Sequence, residues 1–126
     1  MMIGRVNAFR EAVVSVTVRG SLAEEEIEAV IDTGFNGSLT LPPSLIEALG
    51  LPFRRRDRAI LGDGSETFFD THEAEIVWDG HPRAIAVDSA DTEPLLGTAL
   101  LDGCELTIRF VDDGEVFIEA MNDSRN

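Results

Sequence analysis

Short strand-like segments, separated by glycine-bearing or acidic turns, recur along this chain of 126 residues. The segment from Ala12 to Val18 alternates apolar and small polar residues and is rich in β-branched side chains, which is typical of a half-buried strand. Helical signals are confined to a short helix at 44–50 and a single turn at 98–101. Further strands are predicted at 27–31, 38–41, 58–61, 66–71, 74–78, 84–87, 105–110 and 115–119. This pattern predicts an all-β fold, a small closed barrel or sandwich with one or two short helices.

Length, charge and cysteine content limit the class of protein. A chain of 126 residues suits a single domain, here 1–126 with a core at about 10–119. The net charge of −14 argues against nucleic acid or an anionic membrane surface as the main partner. No apolar stretch is long enough to span a membrane, and the first residues lack the apolar core of a signal peptide. The single cysteine, Cys104, forms no internal disulfide, so we expect a cytoplasmic protein.

The triplet Asp32-Thr33-Gly34 directly follows the apolar segment 27–31. A carboxylate at the tip of a buried strand is costly unless its charge is used or paired. A threonine hydroxyl can lock a loop, and glycine lets the backbone approach a ligand closely. These three residues are therefore the first candidates for a functional site.

Other polar residues give weaker signals. Arg54, Arg55, Arg56 and Arg58 are clustered, which is consistent with a solvated strand or loop, with an acidic-ligand patch, or with partners for the surplus carboxylates. The two histidines have no neighbouring cysteines or carboxylates at metal-ligand spacing, so no metal site is predicted. The acidic run 24–26 is expected to be a solvated turn or edge.

Three motifs occur in a fixed order along the chain. The segment Ile31-Asp32-Thr33-Gly34-Phe35-Asn36-Gly37-Ser38-Leu39-Thr40-Leu41-Pro42 comes first, the hairpin tip Leu61-Gly62-Asp63-Gly64-Ser65 second, and Leu95-Leu96-Gly97-Thr98-Ala99-Leu100-Leu101 third. Together they resemble the retropepsin-like aspartic proteases, the family of the retroviral enzymes, and most closely its bacterial-type branch (clan AA). The resemblance covers roughly residues 10 to 119.

The resemblance implies a role for each matched position. Asp32 is the expected catalytic carboxylate, Thr33 the residue that locks two catalytic loops across a dimer axis, and Gly34 part of the substrate cleft. Leu61, Gly62, Asp63 and Gly64 are expected to form a flap that closes over substrate. Leu95, Leu96 and Gly97 are expected to form the strand-to-helix crossing that supports the catalytic loop.

The chemistry of such a site requires two carboxylates, whereas the sequence offers one suitable loop. Asp70, Asp88 and Asp91 lack the glycine and the flanking apolar segments. We therefore expect a homodimer with Asp32 of each subunit at the two-fold axis. The predicted function is an aspartic endopeptidase that needs no cofactor or metal and takes a peptide or protein substrate. The alternative is a catalytically silent or partner-activated module that binds peptides or dimerises on the same fold.

Four further expectations concern details of the site. Retroviral enzymes usually carry a small residue where this chain has Phe35, so the ring is expected to fill a pocket or narrow the cleft. Asp63 either faces the cleft or is a turn residue. Leu39, Ile60 and Leu61 are expected to line the cleft by resemblance, and the terminal segment 116–121 either crosses to a partner or completes the sheet of its own subunit.

Overall fold

The computed structural model describes residues 1–121, which form ten strands and two short helices. The strands are β1 (Met2–Val6), β2 (Ala12–Arg19), β3 (Glu24–Ile31), β4 (Leu39–Leu41), β5 (Phe53–Ile60), β6 (Glu66–Trp78), β7 (His81–Ser89), β8 (Leu95–Leu96), β9 (Cys104–Ile108) and β10 (Glu115–Ala120). The helices are α1 (Pro43–Leu49) and α2 (Thr98–Leu101). The prediction of an all-β fold with short helices is confirmed.

All ten strands belong to one sheet in the order β5-β6-β7-β4-β8-β3-β2-β1-β10-β9. An additional pairing joins β6 to β2, through Val77 opposite Thr17 and Ile76 opposite Val18. This pairing closes six strands, from β6 round to β2, into a small barrel. The β5–β6 hairpin extends from one side of the barrel, and the strands β1, β10 and β9 extend from the other.

The barrel interior is filled by alternate residues of its strands. On β2 the side chains of Ala12, Val14, Val16 and Val18 are buried, while the residues between them are more exposed. This alternation follows from the two-residue period of a strand and explains why β-branched residues recur there. Helix α1 covers the core with Ile46 and Leu49 and ends at Gly50, whose φ of 70° gives the left-handed conformation that glycine adopts without strain.

Several boundaries differ from those predicted. The two segments at 66–71 and 74–78 form one continuous strand, because β6 pairs with β5 along its first half and with β7 along its second. The acidic residues 24–26 are exposed, as expected, but they extend β3 and do not form a turn. Strand β1 was not predicted; it exists because it pairs with both β10 and β2.

The first strand and the last described strand pair with each other within one chain. Strand β10 pairs with β1 on one side and with β9 on the other, so the segment 116–121 completes the sheet of its own chain. No helix within residues 1–121 has both the length and the apolarity needed to cross a membrane.

Candidate active site

Asp32 occupies the position directly after β3. Strand β3 lies between β2, which is antiparallel to it, and β8, which is parallel to it. The Asp32 amide donates to the carbonyl of Leu96 at 2.9 Å, which continues the β3–β8 pairing by one residue. The Asp32 side chain is half-buried. The barrel therefore fixes the backbone of Asp32 and leaves its carboxylate accessible from one side.

The residues after Asp32 form a tight turn around its carboxylate. The amide of Gly34 donates to Oδ1 of Asp32 at 2.9 Å, and the amide of Phe35 donates to the Asp32 carbonyl at 3.1 Å. A Cβ atom on Gly34 would lie 3.2 Å from Oδ1, so the absence of a side chain keeps the approach to the carboxylate open. Thr33 and Gly34 are both exposed in the single chain.

The crossing of β8 and α2 supports this loop from behind. The amides of Gly97, Thr98 and Ala99 donate to the carbonyls of Ser38, Phe35 and Gly37 at 2.9, 2.8 and 3.1 Å. A Cβ atom on Gly97 would lie 2.2 Å from the carbonyl oxygen of Gly37. The two backbones touch at this point, which only glycine permits. Leu96 is fully buried and Leu95 half-buried, so both anchor the crossing in the core.

The ring of Phe35 packs onto the loop itself. A Cβ atom on Gly37 would lie 2.5 Å from its Cζ, and one on Gly97 would lie 2.6 Å from its Cδ2. Two glycines thus make room for one aromatic ring, which is half-buried between them. Of the two expectations for Phe35, filling a pocket within the loop describes this arrangement.

The predicted flap is the tip of the β5–β6 hairpin. The amide of Leu61 donates to the Ser65 carbonyl at 2.8 Å, and the amide of Gly64, which has a φ of 85°, donates to the Leu61 carbonyl at 2.9 Å. Oδ1 of Asp63 accepts hydrogen bonds from the hydroxyl and the amide of Ser65. These bonds hold the pKa of Asp63 below its usual value and make it a turn residue. Residues 60–68 are exposed, including the apolar side chains of Ile60 and Leu61.

A polar network at the base of this hairpin was not predicted from the sequence. The buried hydroxyl of Thr71 on β6 lies 2.8 Å from Oδ2 of Asp57 on β5 and 3.4 Å from Oδ1 of Asp88 on β7. Nε of Arg55 donates to both carboxylate oxygens of Asp57 at 2.8 and 2.9 Å. The Asp88 carboxylate also borders the loop that follows Asp32, since a Cβ atom on Gly37 would lie 3.3 Å from its Oδ2.

The pKa values of the two carboxyl groups in this network are shifted in opposite directions. The hydrogen bond from Thr71, assisted by Arg55, lowers the pKa of Asp57. Burial raises the pKa of Asp88, and the charge of Asp57 adds to that effect. The network therefore joins the base of the β5–β6 hairpin to the loop that follows Asp32 through one hydroxyl and two carboxyl groups. Asp57 and Asp88 each lie one residue outside the strands predicted at 58–61 and 84–87, so no sequence signal indicated this network.

Two further acidic residues, Glu11 and Glu93, lie near the end of β3 that precedes Asp32. The register that sets Val13 opposite Val30 brings Glu11 opposite Asp32 when it is extended by two residues. Glu93 precedes Pro94, whose carbonyl accepts from the Val30 amide. The charge of Glu11 and a hydrogen bond with it raise the pKa of Glu93.

Two expectations about side chains are resolved by burial and ion pairing. Leu39 is fully buried in the core, so the expectation that it lines the cleft is wrong. The clustered arginines lie on β5, where Arg55, Arg56 and Arg58 pair with Asp57, Asp70 and Glu66 at 2.8 to 3.2 Å. They are thus partners for carboxylates on an exposed strand. Within residues 1–121, no three His, Cys, Asp or Glu side chains are grouped so that they could hold a metal ion.

The sequence and the fold were compared with known proteins. No family model and no curated protein matches the sequence. Among solved structures, the chain is similar to EIAV protease complexed with the inhibitor HBY-793, with a TM-score of 0.54. The match covers 76% of this chain and 89% of that chain at 17% sequence identity. An all-β chain that superposes in this way on a retroviral protease has the retropepsin-like fold.

Proposed function

We propose that this chain, as a single domain spanning residues 1–126, is a homodimeric aspartic endopeptidase of the bacterial-type branch of the retropepsin-like family. The observation that carries the proposal is the accessible carboxylate of Asp32, which ends a core strand within a retropepsin-like fold. The backbone crossing behind its loop supports the proposal, because a carboxylate that activates water must be held in a fixed place. One chain supplies one such loop, so two subunits make the site.

In the proposed dimer the two Asp32 carboxylates face each other across the two-fold axis. Like charges about 3 Å apart do not both ionise readily, so the pair shares one proton. The ionised carboxylate acts as general base on a water molecule that attacks the peptide carbonyl. The protonated carboxylate polarises that carbonyl and then supplies the proton that the leaving amine takes up. The pair titrates as a unit, which predicts an acidic to near-neutral optimum.

The remaining site residues bind and orient the substrate in this proposal. Thr33 locks the two catalytic loops together, and Gly34 lets the peptide backbone approach the carboxylates. The peptide lies as an extended strand between the catalytic floor and the flap tip 61–64. The exposed side chains of Ile60 and Leu61 favour apolar residues on either side of the scissile bond. We also propose a cytoplasmic location, because the half-buried Cys104 is a free thiol.

The test is cleavage of a diverse peptide library between pH 4 and pH 7, with the new termini read by mass spectrometry. Wild-type protein and Asp112→Asn, a control that removes an exposed carboxylate from the turn before β10, are expected to cleave at the same sites. Asp32→Asn is expected to lose cleavage while keeping its fold. Equal cleavage by the Asp32 variant would refute the proposed role of Asp32. A folded dimer that leaves every peptide intact would favour the peptide-binding alternative.

A further inference from the structure

The two faces of the β5–β6 hairpin differ in what surrounds them. The register of β5 against β6 places Asp57 and Thr71 on one face and two of the clustered arginines on the other. Those two arginines form exposed ion pairs with carboxylates of β6 at 3.1 and 3.2 Å. Thr71, in contrast, is buried and lies against β7 at the level of Asp88. Because Asp88 borders the loop that follows Asp32, the face of Asp57 and Thr71 is the inner face of the hairpin, turned toward that loop.

The carboxylate of Asp88 lies between this inner face and the loop, and it has no cationic partner among residues 1–121. None of the ion pairs within that range includes Asp88. The hydroxyl of Thr71 has one proton to donate, and it lies 2.8 Å from Asp57 but 3.4 Å from Asp88. Asp88 is nevertheless half-buried. A carboxylate in such surroundings is destabilised unless a cation or a hydrogen-bond donor pairs with it.

Within the described part of the chain, the charges of this network leave that of Asp88 uncompensated. Arg55 is engaged by Asp57, because its Nε donates to both carboxylate oxygens at 2.8 and 2.9 Å. The opposite charges of these two residues cancel, whereas the charge of Asp88 remains. Burial and the charge of Asp57 raise the pKa of Asp88, as expected for a carboxyl group that lacks a cation. A cationic side chain brought by a ligand would supply the missing partner.

The surroundings of the Asp88 carboxylate suit a guanidinium group. The point where a Cβ atom of Gly37 would lie is 3.3 Å from Oδ2 of Asp88 and 2.5 Å from Cζ of Phe35. The carboxylate and the edge of the aromatic ring are therefore neighbours at Gly37. A guanidinium pairs with a carboxylate through two parallel N–H groups and also stacks on an aromatic ring, whereas an ammonium group acts as a point charge.

We propose that Asp88 is the specificity-determining residue of a subsite that takes a basic side chain of the peptide substrate, arginine in preference to lysine. The proposal rests on the proposed function, which lays an extended peptide between the hairpin and the loop that follows Asp32. A basic side chain that points from this peptide toward the hairpin base donates its N–H groups to Asp88 and compensates its charge. An acidic side chain at the same place meets two carboxylates and is disfavoured.

The subsite lies at a distance from the scissile bond. Asp57 precedes Leu61, the first residue of the flap tip, by four residues, which is about 13 Å along a strand. An extended peptide has a similar rise, so the basic residue lies about four residues from the bond that the tip covers. The two-fold axis of the proposed dimer places one such subsite on each side of that bond. The preference for a basic residue is therefore additional to the apolar preference next to the bond.

The test is the affinity of the Asp32→Asn variant for fluorescein-labelled decapeptides with an apolar centre. Two peptides differ only in carrying arginine or its neutral isostere citrulline at the fourth residue from the centre. Fluorescence anisotropy gives the dissociation constants at pH 7, which favours the ionised form of Asp88. We expect the arginine peptide to bind about tenfold more tightly than the citrulline peptide.

Three added substitutions assign this preference to a residue. Asp88→Asn is expected to reduce the ratio of the two constants to less than about twofold, and Asp88→Glu, which keeps the charge, is expected to preserve most of it. Asp70→Asn is the matched control, because it removes an equal charge from the opposite face of the same hairpin. The control is expected to leave the ratio at about tenfold.

The outcomes separate this subsite from the proteolytic function. Equal affinity for the two peptides, an arginine preference that survives Asp88→Asn, an equal loss of preference in Asp70→Asn, or no binding of either peptide would each overturn the inference. Cleavage of library peptides without enrichment of basic residues about four positions from the cut would also overturn it, while the proteolytic function stands. An arginine preference that depends on Asp88, in a protein that cleaves no peptide, would refute the proteolytic function and leave the subsite intact.

Discussion

Replacing Gly97 with alanine tests whether the backbone crossing holds the loop of Asp32. The added Cβ would lie 2.2 Å from the Gly37 carbonyl oxygen and 2.6 Å from the Phe35 carbonyl oxygen, so the two backbones must separate. Overpacking of this kind costs about 1–3 kcal/mol. Weakening one of the hydrogen bonds at the crossing destabilises the protein by about 1–3 kcal/mol more. The lower conformational entropy of the unfolded alanine variant offsets about 0.4–1 kcal/mol of this loss. We expect the free energy of unfolding to fall by about 1–5 kcal/mol.

Urea unfolding followed by the fluorescence of Trp78, the single tryptophan, measures this change. Trp78 is buried in the core and reports on loss of the barrel. Gly62→Ala is the matched control, because a Cβ atom there meets no atom within 4 Å and the residue does not have the left-handed φ that a side chain would strain. The control is expected to change stability by no more than about 0.5 kcal/mol. A Gly97→Ala protein as stable as the control would refute the argument from close backbone approach.

Two further predictions concern the network at the flap base. Thr71→Val removes the buried hydroxyl that donates to Asp57, and we expect about 1–2 kcal/mol of destabilisation in urea unfolding, with Thr71→Ser closer to wild type; equal stability of the valine and serine variants would contradict it. Because burial raises the pKa of Asp88, the native state binds this proton more tightly than the unfolded chain does, so its contribution to stability declines as pH rises through the folded pKa. Asp88→Asn cannot ionise, so the variant should gain stability relative to wild type between pH 4 and pH 7; a difference that is constant with pH, or of opposite sign, would contradict this.

Features set by local backbone chemistry were the ones that the sequence predicted. The end of α1 at Gly50, the glycine-bearing hairpin tip and the strand-to-helix transition after Gly97 each depend on residues adjacent in the chain. The alternation on β2 predicted its buried face for the same reason. The retropepsin-like fold followed from the order of such local motifs, and the structural comparison confirms it.

Features set by strand register were missed. Asp57, Thr71 and Asp88 meet because β6 lies between β5 and β7, and nothing adjacent to any of them in the sequence indicates the others. Leu39 was placed in the cleft by resemblance, whereas all three residues of β4 are buried, and this strand lies between β7 and β8. Strand β1 depends on partners at both ends of the chain, which local patterns do not reveal.

The division of β6 between two neighbours has a mechanical consequence. From Thr71 onward β6 pairs with β7, and parts of it also pair with β5 or β2, whereas residues 66–70 pair with β5 alone among the described strands. The end of the hairpin is thus a two-stranded arm that can rotate about the residues at the level of Thr71. Residues 66–70, at about 3.3 Å each, give this arm a length of about 17 Å. A rotation of about 20° at Thr71 therefore moves its far end by about 6 Å. The buried hydroxyl of Thr71, which joins β5 to β7, lies at this level, so the hairpin beyond it can move while the barrel stays in place.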